Sequence, residues 1–361
     1  MLDGGPPHAL PSLVLSRHSP LSGADSASSL KPMSISKPRL ESLLAGAGGK
    51  RITIIGDAML DVYLKGDVDR ISPEAPVPVV RVRERKLALG GAANVAQNVA
   101  ALGARAELVA VVGRDINATS LRSMLGSLGA ETRALVEVAR PTTTKTRVLA
   151  RVQQVVRFDE EDDSDLDASE VARVLGALRR AIADADAVIL EDYNKGVLLP
   201  PVISAAVDAA RARKIPVIVD PKFRNFFAYR GATVFKPNRR ELESALGATM
   251  DVDHPETLPA MLERLGVEHV LLTLGERGMV LVSANGRTMR IPTTAREVYD
   301  VVGAGDTVTA YLGAMLAAGA SVEEAAEIAN YAAGVEVGKL GAATVSGAEV
   351  LVAHDGHTAG A

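Results

Sequence analysis

The architecture of this chain is indicated first by one segment, Asp300-Val301-Val302-Gly303-Ala304-Gly305-Asp306-Thr307. Its small residues precede an apolar run, residues 308–320, which predicts a buried helix that begins near Gly305. The free N–H groups and the dipole at the start of such a helix make an anion-binding site. A carboxylate at Asp306 would lie beside the bound anion and could take a proton from an attacking hydroxyl. The residues alone leave a second interpretation open, in which Asp306 only caps the helix.

Short apolar runs and helical patterns alternate through most of the chain. The first run, Arg51–Ile55, predicts a buried strand, and from residue 167 onward strands and helices follow each other strictly. This order is typical of parallel βαβ units, in which ligands bind beyond the carboxyl ends of the strands. Polar residues stand at those ends: Gly56-Asp57, Glu191-Asp192, Asp220-Pro221-Lys222, Pro237-Asn238 and Thr273-Leu274-Gly275.

A second kind of strand pattern alternates apolar and polar residues and does not fit a sheet that is buried on both faces. It covers Pro76–Arg83 and residues 144–158. We therefore predict a small separate sheet, with strands near residues 62–89 and 142–159, that forms a lid over the site. Further along the chain, Asn285-Gly286 predicts a type I′ hairpin.

Composition limits the class of protein and its partners. The 361 residues carry a formal net charge of −4, so a broad nucleic-acid-binding surface is not expected. No cysteine is present, which excludes disulfides, thiolate metal sites and a cysteine nucleophile and fits a cytoplasmic protein. No secretory signal and no apolar run long enough to span a bilayer are visible, so no membrane partner is expected.

The domain boundaries follow from where the periodic patterns begin and end. Residues 1–49 are rich in Ser, Pro and Gly without a sustained apolar period, and we predict that they form a flexible extension. Met33 is an alternative start within it. Residues 50–350 are expected to form one α/β domain, and residues 351–361 a C-terminal tail.

Two glycine-rich motifs together resemble those of the PfkB, or ribokinase-like, family of sugar kinases. The first is Gly90-Gly91-Ala92-Ala93-Asn94, and the second is the segment that ends at Asp306; they lie in the family's order, about two hundred residues apart. The resemblance covers roughly residues 50–350. It implies a three-layer α/β sandwich with a central, mostly parallel sheet and a small β-sheet lid. It also implies that Asp306 is the catalytic base, with an anion hole formed by the backbone of Gly303, Ala304 and Gly305.

The same resemblance implies where sugar, nucleotide and metal bind. The sugar hydroxyls would be held by Asp61, Gly90, Gly91 and Asn94. ATP would contact Lys222, Asn238, Thr273, Gly275, Gly278 and Asn330, with Gly334 beside Asn330 in an adenine wall. Mg²⁺ would be organised by Asn238 and Glu241, largely through water, and a monovalent cation is a further candidate. On the residues alone, Asn238 and Glu241 also fit a helix capping box, and Asn330 and Gly334 fit an ordinary helix.

Several longer stretches resemble the heptose 7-phosphate kinases within this family. They are Arg70–Val79, Thr144–Val148, Asp192-Tyr193-Asn194-Lys195-Gly196, Asp220-Pro221-Lys222 and Val298-Tyr299-Asp300. This implies D-glycero-β-D-manno-heptose 7-phosphate as the acceptor, the 1,7-bisphosphate as product, and a place in the synthesis of ADP-heptose for lipopolysaccharide. Lys145 and Arg147, on one face of a lid strand, would then bind the distal phosphate, and Asp192 and Lys195 are further substrate-binding candidates. Otherwise Lys145 and Arg147 form a solvated strand face.

Two features bear on this subgroup. Relatives usually carry arginine after Asp61, where this chain has Val62, which puts the sugar preference in question. No His-x-Gly-His-type nucleotide-transfer motif follows the kinase pattern, so a stand-alone kinase is expected. We also expect a homodimer through the lid, because the lid strands leave open edges that need covering.

Three alternative functions differ from this one in the acceptor, in the reaction or in the absence of catalysis. A PfkB kinase for another acceptor, such as fructose, ribose or tagatose 6-phosphate, stays open. A dinucleotide-binding oxidoreductase would need a Gly-x-Gly-x-x-Gly turn after the first strand, where the chain has only Gly56-Asp57. A non-catalytic sugar-binding regulator on the same fold is the third alternative, since a fold does not fix a function.

Overall fold

Strands and helices alternate through residues 35–251, 259–295 and 298–358, the parts of the chain that the computed structural model describes. The strands are β1 (Arg51–Gly56), β2 (Ala58–Ile71), β3 (Pro78–Gly91), β4 (Arg105–Val109), β5 (Val111–Val112), β6 (Val136–Glu137), β7 (Thr144–Ala150), β8 (Gln153–Glu160), β9 (Ala187–Glu191), β10 (Val217–Asp220), β11 (Val234–Phe235), β12 (His269–Thr273), β13 (Met279–Ser283) and β14 (Thr288–Ile291). The helices are α1 (Lys37–Ala47), α2 (Ala92–Ala101), α3 (Ile116–Ser127), α4 (Ala168–Ile182), α5 (Pro200–Ala212), α6 (Arg239–Leu246), α7 (Pro259–Leu265), α8 (Ala304–Ala317), α9 (Val322–Glu336) and α10 (Gly347–Thr358).

The central sheet has eight strands in the order β14-β13-β12-β11-β10-β9-β1-β4. From β12 to β4 every neighbouring pair is parallel, and β13 pairs antiparallel with both β12 and β14. The β13–β14 hairpin turns at the predicted Asn285-Gly286. The mostly parallel sheet is therefore confirmed, and its carboxyl ends converge on one edge, where ligands bind in open sheets of this type.

Helices cover both faces of this sheet because its strands are apolar on both sides. In β1, Ile54 packs into a core shared with α2, α8 and α9, whereas Ile55 packs into a core shared with α4 and α5. Thr53, also on β1, is buried and donates its hydroxyl to the Ala181 carbonyl of α4 at 3.0 Å, so the polar side chain is satisfied. These two cores form the predicted three-layer sandwich.

A second sheet, the lid, has four strands in the order β3-β2-β7-β8. The β2–β3 and β7–β8 pairs are antiparallel, and β2 pairs with β7 in parallel. Their bounds agree with the lid strands predicted near residues 62–89 and 142–159. Because β2 follows β1 after a single residue, the lid is connected directly to the carboxyl end of the central sheet.

The folded region begins earlier than the sequence analysis predicted. Residues 37–47 of the presumed flexible extension form α1, whose Leu40 and Leu43 are 0% and 2% exposed. Ser36 occupies the N-cap position, and the Ile35 N–H donates to Glu327 of α9 at 3.0 Å. Only three positions of this helix, Leu40, Leu43 and Ala47, are buried, and so few apolar positions do not make a recognisable helical period. Residues 1–34, which include Met33, lie outside the described residues.

The folded region also ends later than predicted. Most of the presumed tail, residues 351–358, belongs to α10. His354 in this helix is buried, and its imidazole Nε2 lies 2.9 Å from the Ile35 carbonyl oxygen. The segments before β1 and after α9 thus pack on each other and complete one side of the sandwich.

Candidate active site

The anion site predicted from the sequence falls at the start of α8. Gly303 is the N-cap residue, with a φ of 98°, a left-handed conformation that favours glycine. A Cβ atom there would lie 3.0 Å from Oε1 of Glu336, so a side chain would also be crowded. No side chain caps this helix, and the residues at its start, Gly303, Ala304 and Gly305, line an adjacent cleft.

Asp306 lies in the first turn of α8 but does not cap it. The carboxylate Oδ2 accepts a hydrogen bond from Asn94 Nδ2 at 2.7 Å, and Oδ1 accepts one from the Tyr193 hydroxyl at 2.9 Å. Asn94 is held in turn by α2, where Asn98 Nδ2 donates to its carbonyl oxygen at 3.1 Å. The three side chains come from α8, α2 and the loop after β9, and they meet where lid and central sheet join.

The environment of Asp306 suits a proton acceptor. Burial raises the pKa of this carboxyl to about 6, while the hydrogen bonds from Asn94 and Tyr193 act against that rise because they favour the charged form. The carboxylate is therefore mostly ionised at neutral pH, yet basic enough to accept a proton from a hydroxyl in the transition state.

A cluster of buried charges lies beside Asp306, at the ends of β9, β10 and β11. Asp220 accepts from Lys236 Nζ at 2.8 Å and lies 3.5 Å from Lys222 Nζ. Glu191 is fully buried, and neither of its carboxylate oxygens has a hydrogen-bond partner within the described ranges. Burial, followed by the charges of Asp220 and Asp306, raises the pKa of Glu191 well above its usual value. Burial without a hydrogen-bond partner thus disfavours the charged form of Glu191.

These acidic groups are also close enough to bind an ion together. One carboxylate oxygen each from Glu191, Asp220 and Asp306 lies within 4.8 Å of the other two. Hard divalent cations prefer such oxygen ligands. Asp220 and Asp306 of this set line the same cleft as Asn238 and Glu241, the metal-binding residues predicted from the sequence.

The nucleotide-binding residues predicted from the sequence line one cleft of about 880 Å³. Its walls include Gly303, Ala304, Gly305, Asp306, Lys222, Asn238, Glu241, Thr273, Gly275, Gly278, Asn330 and Gly334. The cleft thus joins the start of α8 to the carboxyl ends of β10, β11 and β12. The Asn330 side chain is engaged within the protein, because its Nδ2 donates to the Pro292 carbonyl at 2.8 Å. Its amide therefore helps to fix the cleft wall.

Asn238 and Glu241 form the capping box that the sequence allowed. Asn238 Oδ1 accepts from the Glu241 N–H, and Glu241 Oε2 accepts from the Asn238 N–H, both at 2.8 Å. The other oxygen of Glu241 accepts from Lys222 Nζ at 2.7 Å. Burial opposes the charge on Lys222, but Asp220 and Glu241 outweigh it and raise the pKa of this lysine, which therefore stays cationic beside the cleft.

On the lid side, Asp61 is buried in β2 rather than solvated in a loop. Its carboxylate is paired with the Arg147 guanidinium of β7, and that guanidinium lies over the Tyr63 ring at 5.3 Å. Gly90 leaves the space that Asp61 occupies, because a Cβ there would lie 2.9 Å from Asp61 Oδ2. Arg147 therefore holds a predicted sugar-binding carboxylate. The sequence had predicted instead that its charge would be available for the distal phosphate.

The other predicted lid cation, Lys145, is also paired. Its Nζ lies 3.1 Å from Asp159 and 3.4 Å from Glu161. Lys195, from the loop after β9, lies 2.7 Å from the other oxygen of Glu161. These four residues are referred to below as the lid charge cluster.

Asp192, a predicted substrate-binding residue, does not line this cleft, and its carboxylate is engaged within the protein. Its carboxylate accepts from the Tyr229 hydroxyl at 2.8 Å and from the Asn194 N–H at 2.7 Å, and the residue is 2% exposed. Asp57 has a similar position, because it accepts the N–H groups of Tyr193 and Lys195. Both carboxylates shape the loop that carries Tyr193 and Lys195.

Sequence reasoning missed several residues that the structure brings to the site. Tyr193 lies in the Asp192–Gly196 stretch, whose pattern indicates no role for it, although its phenol contacts Asp306. Glu191 and Lys236 lie at strand ends, and no motif marks them as site residues. The available signal was their position at the carboxyl ends of β9 and β11, since such ends meet at the ligand-binding edge.

Comparison with known proteins agrees with this geometry. Residues 50–348 match the family model described as pfkB family carbohydrate kinase. The bifunctional protein HldE of Rhodospirillum rubrum is 44% identical over 320 residues, and that of Azorhizobium caulinodans is 49% identical over 306 residues. These matches cover 88% and 84% of this chain, and each covers 64% of the relative. The chain therefore spans a little under two thirds of the length of these relatives.

Solved structures share the fold at low sequence identity. Phosphofructokinase-2 from Escherichia coli in complex with potassium superposes with a TM-score of 0.73 at 20% identity, covering 86% of this chain and 99% of that one. Ribokinase from Arabidopsis thaliana, complexed with ribose and ATP, gives 0.67 at 21%, covering 85% and 99%. None of the helices in the described ranges combines the length and apolar character that crossing a bilayer requires. The family match and the identities to HldE proteins show that this chain belongs to the pfkB family of carbohydrate kinases.

Proposed function

We propose that this kinase transfers the γ-phosphoryl group of ATP to the anomeric hydroxyl of D-glycero-β-D-manno-heptose 7-phosphate, giving the 1,7-bisphosphate. The observation that carries the chemical part of this proposal is the position of Asp306. It is a buried carboxylate in the first turn of α8, beside an uncapped helix start and at the end of the cleft. A general base and an anion site are thus adjacent, as phosphoryl transfer to a hydroxyl requires.

In the proposed reaction the sugar hydroxyl donates its proton to Asp306 as its oxygen attacks the γ-phosphorus. The new O–P bond forms while the bond to the β-phosphate oxygen breaks, ADP leaves, and Asp306 holds the proton until it passes to solvent. Asn94 and Tyr193 orient the carboxylate, because each fixes one of its oxygens. An oxygen that accepts one hydrogen bond keeps a second lone pair for the sugar hydroxyl.

Negative charge on the transferred group would be stabilised by the start of α8. Gly303, Ala304 and Gly305 line the cleft, and the helix dipole adds a partial positive charge there. Lys222 lies on the same cleft wall and remains cationic. This arrangement supports the assignment of the α8 start as the anion hole and of Lys222 as a phosphate-binding residue.

The oxygen donors of the cleft fit Mg²⁺. Asn238 and Glu241 offer amide and carboxylate oxygens that are already engaged with each other and with Lys222, so contact through water is the mode that suits them. The unpartnered Glu191 carboxyl, together with Asp220, offers a second group of oxygens. Bound Mg²⁺ would neutralise charge on the ATP phosphates. A monovalent cation stays a weaker part of the proposal, carried only by the family resemblance.

The choice of acceptor rests on relatives and on the lid. Many stretches of the chain resemble heptose 7-phosphate kinases, and the relatives at 44–49% identity include HldE proteins. On the lid, Asp61 is positioned by Arg147 to accept hydrogen bonds from sugar hydroxyls. Lys145 and Lys195 supply positive charge for a distal phosphate. Val62 is buried on the opposite strand face from Asp61, so it does not occupy the sugar side of β2.

The test is phosphate transfer from ATP across a panel of acceptors. The panel comprises heptose 7-phosphate, the unphosphorylated heptose, fructose, ribose and tagatose 6-phosphate. Strong preference for heptose 7-phosphate is expected, with the new phosphate on the anomeric carbon. Efficient use of another acceptor would replace the substrate assignment and keep the sugar-kinase chemistry, whereas no transfer to any of them would favour a non-catalytic regulator.

We further propose that two copies associate through the lid. One lid face carries the polar residues near Asp61, and the opposite face is apolar, including Val156 and Phe158, which are 49% and 47% exposed. Exposed apolar strand faces of this kind favour burial against a partner. Phe158→Asp should therefore give monomers in analytical ultracentrifugation, whereas Phe223→Asp, outside the lid, should leave the dimer intact. A wild-type monomer at micromolar concentration would contradict the proposal.

A further inference from the structure

In the lid charge cluster, two lysines from different parts of the fold converge on one carboxylate. Lys145 comes from lid strand β7, Lys195 from the loop after β9 in the central sheet, and Glu161 directly follows lid strand β8. Glu161 lies 2.7 Å from Lys195 Nζ and 3.4 Å from Lys145 Nζ through different oxygens. The geometry is that of an anion held between two cations.

The cluster is reachable from solvent and is cationic on balance. The side chains of Lys145, Lys195 and Glu161 are 17%, 16% and 27% exposed. Asp159 pairs with both Lys145 and Arg157, so with Arg157 included the cluster holds three cations and two carboxylates. An added anion would therefore meet positive charge, and the two lysines are the groups that would bind it.

Glu161 is the removable member of this cluster. Asp159 lies within β8 and is paired with both Lys145 and Arg157, whereas Glu161 stands one residue beyond the end of that strand. Among the residues that the structure describes, Lys195 has its ion pair only with Glu161. Rotation of the partly exposed Glu161 side chain into water would remove the Lys195 ion pair and leave Lys145 paired with Asp159. The cost would be small, since partly exposed ion pairs contribute little stability.

We propose that Glu161 is an internal placeholder that occupies the subsite for the distal phosphate of the sugar substrate and is displaced when that phosphate binds. This inference rests on the proposed function, which identifies the ligand as a sugar phosphate. A phosphate monoester carries up to two negative charges and three acceptor oxygens, so it competes well with a single carboxylate for two lysines. An unphosphorylated sugar brings no such competitor. Glu161 would thus contribute to specificity, because only a sugar that carries a phosphate could displace it from the two lysines.

The alternative role for Glu161 is a strap that joins the lid to the central sheet. The two roles predict opposite effects of neutralising it. A placeholder that is removed leaves the lysines more available, so anions bind more tightly. A strap that is removed leaves the lid less well held, so anions bind no better or more weakly.

The experiment is calorimetric titration of inorganic phosphate into the full-length protein as wild type, Glu161→Gln, Glu160→Gln and the double variant Glu161→Gln with Lys195→Met. Glu160 is the matched control, because it is the adjacent carboxylate and bonds the Thr144 hydroxyl rather than a lysine. We expect about tenfold tighter phosphate binding in Glu161→Gln, which corresponds to about 1.4 kcal/mol. We expect no such gain in Glu160→Gln, and loss of the gain in the double variant.

Unchanged or weaker phosphate binding in Glu161→Gln would overturn the proposal and favour the strap. An equal gain in Glu160→Gln, or a gain that survives Lys195→Met, would also overturn it, because the effect would then be general charge or binding at another site. The titration involves neither ATP nor a sugar. A kinase that prefers another acceptor would therefore contradict the proposed function without affecting this result.

Discussion

Tyr193→Phe tests whether the phenol tunes the base. The substitution removes one hydrogen bond, 2.9 Å long, to the Asp306 carboxylate and retains the ring that lies beneath Lys222. Hydrogen bonds to charged groups contribute about 1.5–3 kcal/mol, and about 1.4 kcal/mol corresponds to one pKa unit. Because this bond favours the ionised form, its loss should raise the pKa of Asp306 from about 6 by about one unit, the lower end of the range, since water can replace part of the bond.

The base must be ionised to act, so the acid limb of the pH profile of kcat/KM should move to higher pH. At pH 6 the ionised fraction of Asp306 should fall from about one half to about one tenth, whereas near pH 9 the two enzymes should differ little from this cause. Measurement of kcat/KM between pH 5 and pH 9 gives the shift directly.

Tyr229→Phe is the matched control for this variant. Its hydroxyl also bonds a buried aspartate, Asp192, at 2.8 Å, but it does not contact Asp306. It should lower the melting temperature without moving the acid limb. An unshifted acid limb in Tyr193→Phe, or the same shift in Tyr229→Phe, would refute the assignment of the phenol as a positioning group for Asp306.

Two further predictions concern the lid and the chain start. Arg147→Ala should raise KM for the sugar substrate by about tenfold to a hundredfold and leave KM for ATP nearly unchanged, because it frees Asp61 from a charge-assisted bond contributing about 1.5–3 kcal/mol; initial-rate kinetics in both substrates would show it, and an effect on ATP alone would contradict it. Removal of residues 1–34 should change activity little, whereas removal of residues 1–47 should lower stability by about 3–6 kcal/mol through loss of the buried Leu40 and Leu43. Denaturant unfolding of the two truncated chains would measure this, and equal stabilities would count against a docked α1.

Local patterns were enough to predict the scaffold and its reactive end. Glycines before an apolar run predicted the start of α8, and β/α alternation predicted the parallel sheet and the edge where ligands meet. The Asn238–Glu241 spacing fitted a capping box, which the structure contains. Each of these features is determined by residues within a few positions of one another, which is the range that a single sequence reports well.

Contacts between distant segments could not be read in the same way. The pairing of Arg147 with Asp61 joins residues 86 positions apart, and the Tyr193–Asp306 bond spans 113 positions. Arg147 and Lys145 alternate on a strand as free cations would, and nothing local indicates that acidic side chains already neutralise them. The hydrogen bond between Asp192 and Tyr229 spans 37 residues, so the local pattern could not predict it either.

Helix α1 shows a different limit. Its apolar positions, Leu40, Leu43 and Ala47, lie in a short segment rich in small residues, so the periodic signal is weak. What stabilises the helix is packing against the rest of the domain, including the ion pair from Arg39 to Glu324 at 2.8 Å. Those partners lie near the other end of the chain, so the sequence of residues 1–49 by itself favours an unstructured extension.

The central claim is that Asp306 activates the anomeric hydroxyl of a phosphorylated heptose for attack on ATP. Its most direct test is phosphorus NMR of the product from ATP and heptose 7-phosphate, with turnover by wild type and Asp306→Asn compared at saturating substrates. The claim predicts a new phosphate on the anomeric carbon with wild type, and turnover reduced about 10²–10⁴-fold in a variant that keeps its fold. Near wild-type turnover by Asp306→Asn, or phosphate placed on another hydroxyl, would contradict it.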